Sequence, residues 1–220
     1  MFLGHMAVGF AAKRVAPKTS LGVLLAASEL IDLLFPAFLL TGWEQVRMEA
    51  GGNAFTRASF YYPFSHSLAM TLVWALAAAF LYWMITRYRT GSLVVGLVVL
   101  SHWVLDLISH KPDMPLYPGN SPLVGLGLWY SLGWTIAVEL LMLAAGVWIY
   151  ISMTRARDRV GTYGPWPFVG LMVLLYIADI VGPPPPNSAA VGWVGLAFAL
   201  FFFYVAWFDR HREVKIRDAV

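Results

Sequence analysis

Six long apolar stretches constrain the fold of this 220-residue chain more than any other feature. They cover residues 21–40, 66–86, 92–110, 127–151, 167–181 and 190–208. Because an α-helix rises 1.5 Å per residue, about 20 residues cross the roughly 30 Å hydrocarbon core of a bilayer. Lipid offers no hydrogen-bond partners, so a spanning segment must satisfy its own backbone, which apolar runs of this length do as helices. The sequence therefore predicts an all-α, polytopic transmembrane helical bundle with about six spans.

The composition and the N-terminal residues refine this prediction. The chain is 60% hydrophobic and 12% charged, against about 25% charged residues in soluble domains, so we expect a single integral membrane domain over residues 1–220. Residues 1–12 are apolar but too short to span, which predicts a short re-entrant or interfacial helix that carries His5. Basic residues follow this run rather than precede it, so we do not expect a cleaved signal peptide. Cysteine is absent, which excludes disulfides and thiolate metal ligands.

The lysines and arginines are divided unevenly between the two sides that six spans would create. Twelve fall on one side: Lys13, Arg14, Lys18, Arg87, Arg89, Arg155, Arg157, Arg159, Arg210, Arg212, Lys215 and Arg217. Three fall on the other: Arg47, Arg57 and Lys111. The positive-inside rule predicts that the larger group is cytoplasmic, with the C-terminus, in a multi-pass protein of the inner (plasma) membrane. This placement explains the formal net charge of +3, so we expect membrane lipids as partners and no nucleic acid.

The sequence SHWVLDLISHKPD, residues 101–113, puts ionisable side chains inside a predicted span. His102, Asp106 and His110 are four residues apart, and each step of four turns only about 40° and rises about 6 Å, so all three lie along one helix face. Such groups are costly in lipid and are rare there unless paired or liganded. For His102 and Asp106, a structural pair and a metal-ligand pair are equally consistent with the spacing. His110 is either a boundary residue at the helix end or part of the same site.

Further polar residues fall at positions from which they can reach this face in the outer half of the bilayer. Imidazole and carboxylate together suit Zn, Mn or Fe, and an open position on such an ion activates water. We therefore predict a divalent metal site with the candidate ligands His5, Asp32, His66, His102 and Asp106, although a structural role for His5 is equally consistent with its position near the terminus. From its position, Glu29 is either an outer partner of the site or a group that hydrogen-bonds another helix. In a hydrolase, Glu29 and His110 are the predicted catalytic proton carriers. Glu139 and Asp179 lie on helices without a histidine, and we interpret them as packing groups or as outer partners of the site.

Four short motifs occur in order within the first 120 residues: Gly4-His5, Asp32, Ser65-His66-Ser67, and Leu100-Ser101-His102 with Asp106. This order resembles the YdjM-like membrane-bound metal-dependent hydrolases, also described as LexA-binding, inner-membrane-associated hydrolases. The resemblance implies a membrane-embedded metal site and hydrolase activity, and it does not extend to residues 121–220, with their three further spans and basic tail. The family pattern has PDxD and HRxxTHS where this chain has ELID and YYPFSHS. One aspartate and one histidine of the pattern are therefore missing, and Glu29 is a candidate to replace the aspartate.

Three classes of function are compatible with these features. The first is a metal-dependent hydrolase that acts on a lipid or lipid-linked ester or phosphoester at the outer leaflet, as the predicted depth of the site favours. The second is a proton-coupled or ion-coupled transporter, because chains of ionisable residues mark ion pathways in membranes. Residues 94–101, VVGLVVLS, carry no ionisable group on the inward side of His102, which disfavours a continuous path. The third is a non-catalytic membrane scaffold, as the missing motif residues suggest.

Overall fold

The computed structural model describes residues 1–49 and 51–215 as a bundle of helices joined by short strands and loops. The helices are α1 (Phe2–Ala12), α2 (Leu21–Ser28), α3 (Leu30–Leu40), α4 (Leu68–Thr86), α5 (Arg89–Ser109), α6 (Leu132–Met153), α7 (Arg159–Tyr163), α8 (Pro165–Val181), α9 (Ser188–Phe198) and α10 (Leu200–Arg210). The strands pair antiparallel as β1 (Gln45–Met48) with β2 (Ala58–Tyr61), β3 (Met114–Pro115) with β4 (Leu123–Val124), and β5 (Thr154–Ala156) with β6 (Arg212–Val214). Arg217 of the predicted basic tail lies outside the described residues.

The predicted helical membrane architecture is confirmed. Among the described residues, five helical segments are long and apolar enough to cross a membrane: Leu68–Thr86, Arg89–Ser109, Leu132–Met153, Arg159–Val181 and Ser188–Arg210. The pair α2 and α3 makes a sixth segment if the two are counted as one broken span. At 11 residues, α1 is too short to span a bilayer, as expected.

The predicted first span is not one straight helix. α2 and α3 meet at Glu29 with a bend of 56°. At this point the carbonyl of Ser28 accepts a hydrogen bond from Nδ1 of His102 on α5, at 2.8 Å. A side chain inserted at a helix carbonyl is a recognised cause of kinks. The prediction of an unbroken helix over residues 21–40 is therefore wrong, and the bend turns the start of α3, with Asp32, relative to α2.

The short helix α1 is buried within the bundle. Leu3, Met6 and Phe10 are fully buried and belong to a cluster with side chains of α2, α6, α8 and α10. Gly9 permits close contact with α2, and Gly146 of α6 lies against the backbone of α1. Small residues at such crossings let helix backbones approach closely, which is how helices associate in lipid. This placement buries His5 inside the bundle, where the side chain is 1% exposed.

Replacing Gly146 with alanine is expected to lower the melting temperature. A Cβ atom at this position would lie 2.4 Å from the carbonyl oxygen of Ala7, so α1 and α6 must separate. Overpacking of this kind typically costs about 1–3 kcal/mol. Thermal unfolding in detergent measures the change. Gly133→Ala is the matched control in α6, because its added Cβ meets nothing within 4 Å. Equal melting temperatures for the two variants would contradict the predicted close contact.

Hydrogen bonds connect the loops at one end of the bundle, which together form a cap. Arg57, which precedes β2, donates to the carbonyl of Gly182 at 3.1 Å and to that of Asp179 at 2.9 Å. Asn53 donates to the carbonyl of Trp129 at 2.8 Å. The β1–β2 hairpin is thus fixed to the end of α8 and to the loop before α6. We call this the capped end, and the predicted metal ligands lie beneath it.

Candidate metal centre

All five predicted metal ligands come together in the structure. α1 supplies His5, α3 supplies Asp32, α5 supplies His102 and Asp106, and His66 lies just before α4. Ligand atoms of His5, Asp32 and His102 lie within 4.8 Å of one another, and so do those of His66, His102 and Asp106. Four separate chain segments therefore supply two overlapping groups of ligands that share His102, which the sequence spacing of His102 and Asp106 alone could not establish.

The carboxylate of Asp106 lies at the centre of the cluster. Its Oδ1 is 3.0 Å from Nε2 of His5, and its Oδ2 is 3.0 Å from Nε2 of His102 and 3.9 Å from Nε2 of His66. Asp32 approaches from α3, with Oδ1 at 3.2 Å from Nε2 of His66 and 3.7 Å from Nε2 of His102. The α-amino group of Met1 is also close, 2.5 Å from Oδ1 of Asp106. His102 belongs to both groups of ligands, and Asp106 contacts the histidines of both through its two oxygens.

Hydrogen bonding fixes the protonation of the His102 ring. A carbonyl oxygen can only accept, so Nδ1 of His102 must carry the proton that it donates to Ser28. In the neutral ring, Nε2 then has a lone pair, and this atom faces the carboxylates of Asp32 and Asp106. Acceptor atoms that face each other at 3.0 Å repel unless a cation lies between them. The cluster is therefore suited to bind a metal ion or an additional proton.

Two buried hydrogen bonds, from His66 to Ser65 and from Ser65 to Glu44, fix the proton position of the His66 ring in the same way. Ser65 Oγ donates to Oε2 of Glu44 at 2.7 Å, so it accepts from Nδ1 of His66, also at 2.7 Å. Glu44 is 1% exposed and further accepts from the backbone N–H groups of Phe64 and Ser65. Burial raises the pKa of the Glu44 carboxyl above its ordinary value, whereas these hydrogen bonds favour its charged form. Outer partners of this type orient metal-binding histidines, and sequence analysis missed this one.

His5 is held differently from the other histidines. Its ring stacks on that of His102, with centroids 3.7 Å apart and planes 6° from parallel. Nδ1 of His5 is buried, and no hydrogen-bond partner for it is found within residues 1–49 and 51–215. Glu139 positions the helix instead, because its Oε2 accepts from the N–H groups of Leu3 at 2.7 Å and Gly4 at 3.4 Å. The predicted packing role of Glu139 is compatible with these contacts.

The two predicted proton carriers both adjoin the cluster. Glu29 is 2% exposed at the bend between α2 and α3, and its Oε1 has no hydrogen-bond partner among the described residues. His110, which caps the end of α5, has Nε2 at 3.9 Å from Oδ1 of Asp106 and Nδ1 at 3.0 Å from Oδ1 of Asp113. Asp179 is farther out, 61% exposed and 3.7 Å from Arg57.

A cavity of about 270 Å³ leads from the capped end to the cluster. Four predicted site residues, Asp32, His66, Asp106 and His110, line it. Most other lining side chains are apolar, including Phe35, Val46, Met48, Phe55, Phe60 and Val191. The cavity thus combines a polar wall that could hold an ion with apolar walls that could contact hydrocarbon.

Comparisons with known proteins leave the site to be interpreted from its own geometry. No protein-family model, curated protein or solved structure matches the chain. Histidine nitrogens and carboxylate oxygens are the usual ligands of Zn and of other first-row transition metals. The buried His/Asp cluster could hold a metal ion.

Proposed function

We propose that this protein is a membrane-embedded, metal-dependent hydrolase that cleaves an ester or phosphoester of a lipid or lipid-linked substrate. The observation that carries the proposal is the arrangement of His66 and His102. Each ring has Nδ1 bound to an outer acceptor and Nε2 directed at the carboxylates of Asp32 and Asp106. Metal-binding histidines in proteins nearly always have this arrangement. The resemblance of the motif order to the YdjM-like hydrolases supports the same conclusion.

The proposed reaction assigns distinct tasks to the cluster and the groups around it. His5, Asp32, His66, His102 and Asp106 hold the metal. A divalent ion such as Zn, Mn or Fe supplies a Lewis acid and an activated water at this position. Glu29, three residues before Asp32 and with a buried oxygen that has no partner in the described part of the chain, takes up and returns the proton. His110 is the second candidate for this step.

The cavity supports a lipid substrate. Its apolar walls can contact acyl or prenyl chains, while the polar wall would receive the headgroup linkage. The distribution of lysine and arginine assigns the capped end to the outside of the cell membrane and the C-terminus to the cytoplasm. We therefore place the reaction at the outer leaflet of the inner (plasma) membrane.

Metal analysis of the detergent-purified protein tests this proposal. We expect at least one equivalent of a transition metal in the wild type and a loss of more than about tenfold in His102→Ala, because a direct ligand is removed. His211→Ala is the control, since His211 lies at the other end of the bundle and pairs with Asp158 at 2.6 Å. Chelator-sensitive hydrolysis of p-nitrophenyl ester and bis(p-nitrophenyl) phosphate in mixed micelles then measures activity.

Two outcomes would contradict the proposal. Metal content far below one equivalent, unchanged by His102→Ala, would exclude a metal centre and favour a scaffold. A metal-loaded protein that hydrolyses neither substrate but moves protons or ions across proteoliposome membranes would favour a transporter.

A further inference from the structure

We infer that the centre holds two divalent cations bridged by Asp106, and that His110 is a ligand of the second. This inference rests on the proposed function, because it requires the cluster to bind metal. It goes beyond that function in the number of ions and in the role of His110. The structural basis is that the two oxygens of Asp106 face different partners. Oδ2 faces His102 and His66, at 3.0 and 3.9 Å, whereas Oδ1 faces His5 and His110, also at 3.0 and 3.9 Å.

His110 has the hydrogen-bond arrangement of a metal ligand. Nδ1 of His110 donates to Oδ1 of Asp113 at 3.0 Å, and the Tyr62 hydroxyl donates to the same oxygen at 3.0 Å. Because Nδ1 carries the proton, Nε2 has a lone pair, and that atom faces Asp106. The ring also packs against Trp129, with centroids 3.9 Å apart, so its orientation is restricted. His110 therefore follows the same rule as His66 and His102: an outer acceptor on one nitrogen, and Asp106 opposite the other.

A positive group already lies at Oδ1 of Asp106 in the structure. The α-amino nitrogen of Met1 is 2.5 Å from this oxygen and 3.5 Å from Ser109 Oγ, and both members of the Met1–Asp106 ion pair are buried. Buried charges persist only when they are paired, so this side of the carboxylate stabilises a cation. A divalent ion at Oδ1 would replace the ammonium group there, and His5 and His110 would be its nitrogen donors.

Two bridged ions narrow the class of substrate. Pairs of ions about 3.5–4 Å apart stabilise both the attacking and the leaving oxygen in displacement at phosphorus. A carboxylate that uses one oxygen for each ion is suited to hold them at such a separation. The two-ion centre therefore favours a phosphoester over a carboxylic ester, and it leaves Glu29 as the proton carrier because His110 is occupied as a ligand.

Manganese binding distinguishes two ions from one. The metal-free wild type, titrated with Mn²⁺ in detergent, should bind two ions per chain, and electron paramagnetic resonance should show a spin-coupled pair. His110→Ala should bind one ion with an uncoupled signal. Asp113→Asn should weaken the second site by about 10–100-fold, as removal of outer partners of metal-binding histidines does. His211→Ala is the control and should bind two coupled ions.

The possible outcomes separate this inference from the proposed function. One uncoupled ion in both the wild type and His110→Ala would overturn the two-ion centre and leave the hydrolase proposal standing, with the amino group of Met1 as the cation at Oδ1. No bound ion in the wild type would overturn both. If His110→Ala does not fold, the spectrum of the wild type and the affinities of Asp113→Asn still decide between one ion and two.

Discussion

Asp106→Asn is expected to abolish the stabilisation of the protein by divalent metal. For the wild type, a metal concentration 100 times the dissociation constant contributes about 2.7 kcal/mol, which corresponds to a rise in melting temperature of about 5–10 °C in a protein of this size. Asp106 faces His5 through Oδ1 and His102 through Oδ2. Asparagine preserves its volume but removes the charge and one acceptor. We expect the affinity for divalent metal to fall by at least about 100-fold. This is the upper end of the losses seen when only an outer partner of a ligand is removed, and Asp106 is a predicted direct ligand.

Thermal unfolding with added metal and with chelator measures this effect without knowledge of the substrate. The wild type should melt at a higher temperature with metal than with chelator, whereas Asp106→Asn should melt at nearly the same temperature in both. Asp179→Asn is the matched control, because Asp179 also lines the cavity but is 61% exposed and pairs with Arg57. It should retain the full response to metal. An equal response in Asp106→Asn and the wild type would exclude the cluster as the metal site.

The sequence was sufficient to predict the apolar helical segments, apart from the break at Glu29, and the identity of the clustered side chains. The thickness of the bilayer sets the length of a spanning helix, so apolar runs such as 92–110 are recognisable without any tertiary information. Ionisable residues are conspicuous in such runs because they are costly there. His102 and Asp106 stand out for this reason. The structure brings them together with His5, Asp32 and His66, as predicted, while their chemical role stays a prediction.

Features that depend on contacts between distant segments could not be predicted. The bend at Glu29 coincides with a bond between Ser28 and His102, 74 residues apart. Glu44 lies in a loop without periodicity, and its importance depends on a bond to Ser65, 21 residues later. Asp113 follows the end of α5 among prolines and glycines, where spacing carries no information about orientation. In each case the partner, not the local pattern, determines the role of the residue.

Lys13, at the end of the bundle opposite the capped end, is another residue whose role could not be predicted from the sequence. In the sequence it belongs to a basic cluster that determines orientation, and Asp209 belongs to a basic tail. In the structure both are buried, and Lys13 Nζ donates to Oδ2 of Asp209 at 2.7 Å and to the carbonyl of Thr19 at 2.8 Å. Asp209 also accepts from the N–H of Leu21 and from the hydroxyl of Tyr150, each at 2.8 Å. One carboxylate thus joins α10 to the start of α2, to α6 and to the residue after α1.

Asp209→Ala is therefore expected to cause a large loss of stability. It leaves a buried ammonium group, a backbone N–H and a hydroxyl without their acceptor, and breaking a buried ion pair in this way typically costs about 3–5 kcal/mol. We expect the melting temperature in detergent to fall by about 6–20 °C. Glu213→Ala is the control at the same end of the bundle, because its pairs with Arg155 and Arg157 are exposed and contribute little to stability. Similar melting temperatures for the two variants would contradict the importance of Asp209.

A double variant separates the charge from the packing. Lys13→Met combined with Asp209→Leu removes both buried charges and fills the space with apolar side chains, a replacement that is often neutral or stabilising. It should therefore melt at a higher temperature than Asp209→Ala.

Because Lys13 directly follows α1, which carries His5, the same variants also test whether the contact between Lys13 and Asp209 positions the metal centre. Asp209→Ala should still melt at a higher temperature with metal than with chelator, because Asp209 takes no part in the contacts between Asp106 and the other predicted ligands.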